Sequence, residues 1–192
     1  MFFQQIIDKY YPADDNLRRL LLHHSRQVAD RALLVARHHP ELGADLRFLE
    51  DAAMLHDIGI LLTDAPGIYC EGTEPYLLHG HLGAQMLRRE AEAFVQEGRS
   101  SEAGYCEALA RVCERHTGTG LTAQNIRERA LPLPEQDFLP ETIEEQIVCY
   151  ADKFYSKSHP ERERTVEQTA ASLEKFGAEG VAKFLRWAEM FE

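Results

Sequence analysis

A chain of 192 residues with 44% hydrophobic and 28% charged side chains has the make-up of a globular protein, with enough apolar material for one substantial core. Its formal net charge of −11, with no basic stripe to offset it, argues against a general nucleic-acid or membrane-surface role, while anionic small molecules stay open because a bound metal reverses the field of a pocket. MFFQQIIDKYYP is too short and wrongly flanked for a signal peptide, no stretch has the length of a membrane span, and Cys70, Cys106, Cys113 and Cys149 are too scattered for a zinc site or a disulfide framework, so free thiols in the cytoplasm are expected.

Helical periods dominate the chain. After Pro12, Asp14 or Asp15 is placed to cap a long helix in which Leu17, Leu21, His24, Val28, Ala32 and Val35 recur at steps of three and four, closed by Pro40 and Gly43. A second helix is expected from about Ala44 to Ile58, with Leu49, Ala53 and His56 on one side and Gly59 as its stop. Residues 61–78, with two prolines and two glycines, read as a long loop of the kind that often carries function. HGHLGAQMLRREAEAFVQEG opens a helix near His79, and SEAGYCEALARVCERH puts Tyr105, Leu109, Val112 and His116 on one stripe. The Gly118–Thr119–Gly120 run stops it, Thr122 is placed to cap a short helix, and residues 131–140 form a connector with three prolines. Thr142 and Glu145 form a capping box that opens a helix with Val148, Asp152 and Tyr155 along one face. Two last helices, TVEQTAASLEKF and AEGVAKFLRWAEMF, flank Gly177, and Phe184, Trp187 and Phe191 pack on the core or on a second subunit. No stretch alternates like a strand, so the expected class is all-α.

Six polar side chains interrupt these apolar faces or end their helices: His24, His56, Asp57, His79, His116 and Asp152. His24 or His116 alone reads as a satisfied core histidine, but a carboxylate on a face that also carries valine needs a partner if buried. Imidazole and carboxylate from five helices or helix ends point to a metal centre, and the donor set suits iron, manganese, nickel, zinc or magnesium. At a helix end His56 and Asp57 can both reach a cation over the terminus, and the two oxygens of Asp57 allow it to bridge two.

In order and local context these residues resemble the HD superfamily of metal-dependent phosphohydrolases, of the HDIG type with a two-metal site. HSRQVADRA resembles the family's first helix and selects His24 over His23; LHDIG is similar to the HD signature; HGHLGAQML resembles the His-x-x-x-Gly-Ala helix; ERHTGTG and EEQIVCYADKF supply His116 and Asp152. The resemblance covers roughly residues 17–157. It implies an all-α HD-domain bundle with the metal site between core helices, and a single domain over 1–192 whose residues 158–192 are C-terminal helices. His24, His56, Asp57 and Asp152 would hold one divalent ion, with Asp57 bridging to a second held also by His79 and His116. His81 is a rival for His79, but the spacing to Gly83 and Ala84 favours His79.

The implied reaction is hydrolysis of a nucleotide or small phosphoester by a water activated between two metals. The implied partner is a small anionic phosphorylated substrate, with neither a nucleic-acid polymer nor a membrane, and a homodimer is compatible. Asp57 and Lys153 are the candidate catalytic residues, Lys153 at the pocket rim with Arg115 as a weaker cation. The amides of Gly118, Thr119 and Gly120 and the loop bearing Asp64, Tyr69, Cys70, Glu71 and Tyr76 are further candidates for contacting phosphate and for covering the site. Ile60 stands where many relatives carry a cation after HDIG, and Thr117 after His116 departs from the cyclic-di-GMP phosphodiesterase branch. The same ligand set is also similar to that of HD-type di-iron oxygenases, and a non-catalytic regulatory HD domain is the third alternative.

Overall fold

The computed structural model describes residues 2–174 and 177–192. Helix α1 (Phe2–Tyr10) buries Phe3, Ile6 and Ile7, spaced to fall on one face, and was not among the expected elements. Asp15, rather than Asp14, caps α2 (Asn16–His38) by accepting from Arg18 N, and Leu21, His24, Val28, Ala32 and Val35 all lie buried along it. A 3₁₀ turn over Pro40–Leu42 follows, closed by Gly43 at φ 66°.

Helix α3 (Leu46–Leu55) is shorter than the sequence suggested and has His56 as its C-cap. The chain then turns through Asp57 into a 3₁₀ segment, Ile58–Leu62, and Gly59 lies inside that segment instead of stopping a helix. Its reason is proximity. A Cβ there would sit 2.2 Å from the His79 carbonyl oxygen and 2.4 Å from Gly83 N, so glycine lets this turn lie directly against α4 (His79–Gln96).

The expected loop between them is more ordered than its composition implied. Strand β1 (Thr63–Ala65) pairs antiparallel with β2 (Cys70–Glu71) and parallel with β3 (Glu74–Pro75), giving a small sheet in the order β2-β1-β3. Strands this short carry no readable alternation. Helices resume with α4 and α5 (Ser100–Arg115), which form a hairpin, then α6 (Ala123–Glu128), α7 (Ile143–Asp152), α8 (Val166–Leu173) and α9 (Ala178–Phe191). Lys175 and Phe176, expected to continue the helix before Gly177, lie outside the described residues. Thr122 and Asn125 make a full capping box on α6. On α7 only half of the expected box forms: Thr142 accepts from Glu145 N, while the Glu145 carboxylate accepts from Glu141 N and Arg115.

Helix α2 packs against α3 and α7, and one continuous apolar core runs from Ile7 through Leu21, Leu49, Leu87 and Val148 to Phe184. Trp187 and Phe191 also lie buried in it, which settles their packing in favour of the core. The four cysteines are free and buried. No described helix is long and apolar enough to cross a membrane. The result is a helical bundle with one small sheet inserted between α3 and α4.

Candidate metal centre

Five helices bring polar groups to one point, four of them by an end. His24 lies midway along α2, His56 and Asp57 follow α3, His79 opens α4, His116 caps α5 and Asp152 closes α7. The Asp57 carboxylate stands between them. Its Oδ2 is 3.2 Å from His24 Nε2 and 3.1 Å from His56 Nε2, while its Oδ1 is 3.3 Å from His79 Nε2 and 3.5 Å from His116 Nε2. Asp152 Oδ1 completes the first group, 3.1 Å from His24 Nε2 and 3.4 Å from His56 Nε2. Two donor sets result, His24–His56–Asp57–Asp152 and Asp57–His79–His116, in each of which the donor atoms lie within 4.8 Å of one another. His81 stays outside both, bonded to Gln85 at 3.0 Å with its ring against Phe138.

The imidazoles are oriented from behind. Nδ1 of His56 donates to Ala53 O at 2.6 Å, that of His79 to Tyr76 O at 2.7 Å and that of His116 to Cys113 O at 2.6 Å. Each bond puts a ring proton on Nδ1 and turns Nε2 toward Asp57. His56 Nε2 and both Asp57 oxygens are buried without a hydrogen bond of ordinary geometry, and Oδ2 is met by the Lys157 ammonium. Other buried acids differ: Asp51 accepts from Phe3 N and Tyr105 Oη, and Glu90 from Lys9 and Tyr10. Two carboxylates and four imidazoles gathered in the interior are costly unless cations join them, and this set of nitrogen and carboxylate oxygen fits a divalent one.

The electrostatics divide the three rings. Burial alone would lower the His56 pKa, but the charges and bonds of Asp57 and Asp152 outweigh it and push it up to about 9. Burial prevails at His79, which is pushed down to about 3, and at His116, which is also lowered, leaving both rings in the neutral form that ligates metals. Burial would raise Asp57, yet His56 and Lys157 hold it well below the usual carboxylate range.

Two lysines border the cluster. Lys153 Nζ donates to Asp152 Oδ2 at 2.6 Å and to His116 O at 2.8 Å. Lys157, absent from the sequence-based candidates, places its ammonium 2.5 Å from Asp57 Oδ2 with its side chain 13% exposed. It lies in the polar run SKSHP beyond α7, where there is no apolar period for a site residue to interrupt. Arg115 is turned away, paired with Glu141 at 2.8 Å and Glu145 at 3.0 Å. Ile60 is buried in the core and offers the site no polar group.

A cavity of about 480 Å³ opens over the cluster, lined by His79, His116 and Asp152 and walled by Tyr76, Thr117, Gly118, Lys153, Lys157 and Arg164. Of the three candidate loop residues only Gly118 lines it, and Gly120 N is engaged by Thr117 O at 3.0 Å. The inserted segment contributes Ile68, Tyr76 and Leu77, with Tyr76 stacked on His79 at 4.7 Å between ring centroids. Cys70 is buried, Asp64 pairs in register with Glu71, and Tyr69 and Glu71 line a separate cavity beside Tyr10 and Asn16.

A helical bundle whose helix ends converge on buried histidines and aspartates, with geometry for a divalent cation, is the class of protein that this fold and site define. The sequence profile of the HD domain matches residues 21–156, a span that contains all six converging residues, and the chain belongs to the HD domain family. It is similar to the tRNA (cytidine(56)-2′-O)-methyltransferase of Thermoplasma volcanium, 28% identical over 163 residues that make up 85% of this chain and 39% of that protein. The enzyme of the same name from Picrophilus torridus is 30% identical over 157 residues, 77% of this chain and 38% of that protein. The chain thus spans about two fifths of the length of these two relatives. An uncharacterized protein of Methanocaldococcus jannaschii is 34% identical over 137 residues, 67% of this chain and 66% of that one. Among solved structures, the HD domain of the L. monocytogenes phosphodiesterase PgpH gives a TM-score of 0.46 at 14% identity, covering 95% of this chain and 92% of that one. The same domain in complex with cyclic-di-AMP gives 0.48 at 16% identity, covering 100% and 85%.

Proposed function

We propose that this chain is a metal-dependent phosphohydrolase acting on a nucleotide or small phosphoester. In this reading His24, His56, Asp57 and Asp152 hold one divalent ion, and Asp57, His79 and His116 hold a second. The observation that carries it is the divided Asp57 carboxylate, one oxygen facing each donor set. Bound cations of this kind supply a water that ionises near neutral pH and positive charge for phosphoryl oxygens.

The rest of the work falls to side chains of the cavity. Lys157, beside Asp57, is placed to balance the charge of a phosphoryl group, and a compact ammonium serves that purpose as a point charge. Lys153 keeps Asp152 in place through its 2.6 Å bond while presenting its own charge to the cavity. Tyr76 covers the outer face of His79 and keeps water from approaching the ring from that side. We take residues 1–192 as one domain: α8 and α9 lie beyond the matched span, yet Leu173, Phe184 and Trp187 join the same core. The methyl transfer named for the two relatives belongs to proteins more than twice as long and forms no part of this proposal.

Phosphate release by anaerobically purified protein with Mn²⁺ or Fe²⁺ tests the reading, across nucleotides, dinucleoside polyphosphates and small phosphoesters. Asp57→Ala is expected to lower turnover by more than about a hundredfold, beyond the usual cost of losing an outer-shell partner, with helical content retained. Full release by that variant overturns the site. Silence of the wild type across the panel overturns hydrolysis, and oxygen consumption by an iron-loaded sample would then move the centre to the oxygenase class.

A further inference from the structure

The loop from α7 to α8 turns its charges to two sides. It is closed on itself by Arg164 N donating to Phe154 O at 2.9 Å, His159 N to Ser156 O at 3.2 Å and Arg162 N to His159 O at 3.2 Å. It is also pinned to α2, where Gln27 donates to Pro160 O at 2.8 Å and Arg31 pairs with Glu163 at 2.7 Å. Glu163, which also accepts from Tyr155 Oη at 3.0 Å, is thereby held on the α2 side beside Arg31, which it shares with Glu192.

The basic residues go the other way. A recess of about 180 Å³ is lined by Ser156, His159, Arg162, Arg164 and Gln168, with no carboxylate among them, and it shares Ser156 and Arg164 with the cavity over the metal centre. Arg164 is held in the shared wall by its bond to Lys153 O, the carbonyl just past the end of α7. Arg162 and Arg164 have no ion pair among the described residues, a state they share with Arg37, Arg47, Arg89 and Arg186, but these two line a recess that adjoins the cavity over the metal centre. In a chain of net charge −11, these two guanidinium groups bring positive charge to a cavity at which Asp152 and Asp57 already pair with Lys153 and Lys157.

We infer that this recess binds a second phosphate group of the substrate, so that the site takes a phosphate chain in preference to a monophosphate. The inference rests on the hydrolase reading and adds the substrate class. One phosphoryl group lies by Asp57 and Lys157; the other reaches past Arg164 to Arg162, where planar forks and the Ser156 and Gln168 side chains supply donors in the geometry that phosphate oxygens accept.

Calorimetric titration of the metal-stripped protein with inorganic tripolyphosphate and with orthophosphate tests it. The wild type is expected to bind tripolyphosphate at least about tenfold more tightly, and Arg162→Ala to remove most of that preference. Arg164→Lys, which keeps the charge and a donor for Lys153 O, is expected to weaken it partially by losing the fork. Equal affinity for the two anions in the wild type, or full preference in both variants, overturns the recess. ATP forms a parallel arm: an Arg162-dependent affinity for it assigns the recess to the phosphates of a nucleotide, and the same dependence with tripolyphosphate alone assigns it to an inorganic chain. Phosphate release by the wild type with Mn²⁺ judges the hydrolase reading separately, and its failure leaves the binding comparison standing.

Discussion

Gly59 carries no side chain because two stretches of backbone occupy the place where one would go. With the His79 oxygen 2.2 Å and Gly83 N 2.4 Å from a notional Cβ, neither neighbour can step aside as a flexible side chain would. Gly59→Ala is therefore expected to cost about 3 kcal/mol, the upper part of the range for overpacking, seen as a lower melting temperature. Because the clash falls on the residue that opens α4, Mn²⁺ affinity is expected to fall with it; an unchanged melt would show that the turn does not lie this close to α4. Lys157 gives the opposite sign. Its ammonium and a metal compete for Asp57 Oδ2, so Lys157→Met is expected to tighten Mn²⁺ binding by calorimetry. The same variant leaves a buried carboxylate without its cation and destabilises the metal-free protein by about 3 kcal/mol. Weaker binding of Mn²⁺ would refute the competition. The contrast between Lys157 and the six converging residues explains what the sequence made legible. His24 and Asp152 interrupt apolar faces, and His56, His79 and His116 sit at helix ends, in an order resembling a known series. Lys157 sits in a polar run where one more charge carries no information.

At the scale of elements, α1 shows how a short helix is fixed by a partner distant in sequence. Asp51 on α3 is buried and accepts from Phe3 N at 3.1 Å, at the positive end of α1, and from Tyr105 Oη on α5 at 2.8 Å. Asp51→Ala leaves two donors without an acceptor and is expected to cost about 3 kcal/mol. Hydrogen exchange at Ile6 and Ile7 should quicken more than in α7; equal protection would mean that α1 is held by its apolar face alone. The long helices were legible from period and caps, with Asp15 and Thr142 where capping requires them. The errors fall where tertiary proximity overrides local chemistry. Gly59 looks like a helix stop and serves close packing, Glu145 looks like a capping-box partner and is drawn to Arg115, and β1 to β3 are too short to show alternation. Ile60 is a departure from the family pattern that reads as a lost cation, and in the fold it is a core residue.

For the molecule as a whole, the cluster ties α2, α3, α4, α5 and α7 together at a point where each presents acceptors to the others. A cation bound there joins five helices through their own side chains, so binding and folding are linked. At a free Mn²⁺ concentration a hundredfold above its dissociation constant, linkage adds about 2.7 kcal/mol to the stability of a protein whose unfolded form does not bind. For a chain of this size each kcal/mol moves the melting temperature by roughly 2–4 °C, so a rise of roughly 5–10 °C is expected, reversed by a chelator. Asp57→Asn separates this from a nonspecific salt effect. It keeps the volume and one carbonyl oxygen at the centre of the cluster but removes the charge that both donor sets share. Its melting temperature should hardly respond to Mn²⁺, while Mg²⁺ and Ca²⁺ at equal ionic strength, with their preference for all-oxygen sites, should stabilise the wild type less than Mn²⁺ does. Equal shifts with every divalent ion, or an undiminished shift in Asp57→Asn, would place the stabilising cation somewhere other than between these helices.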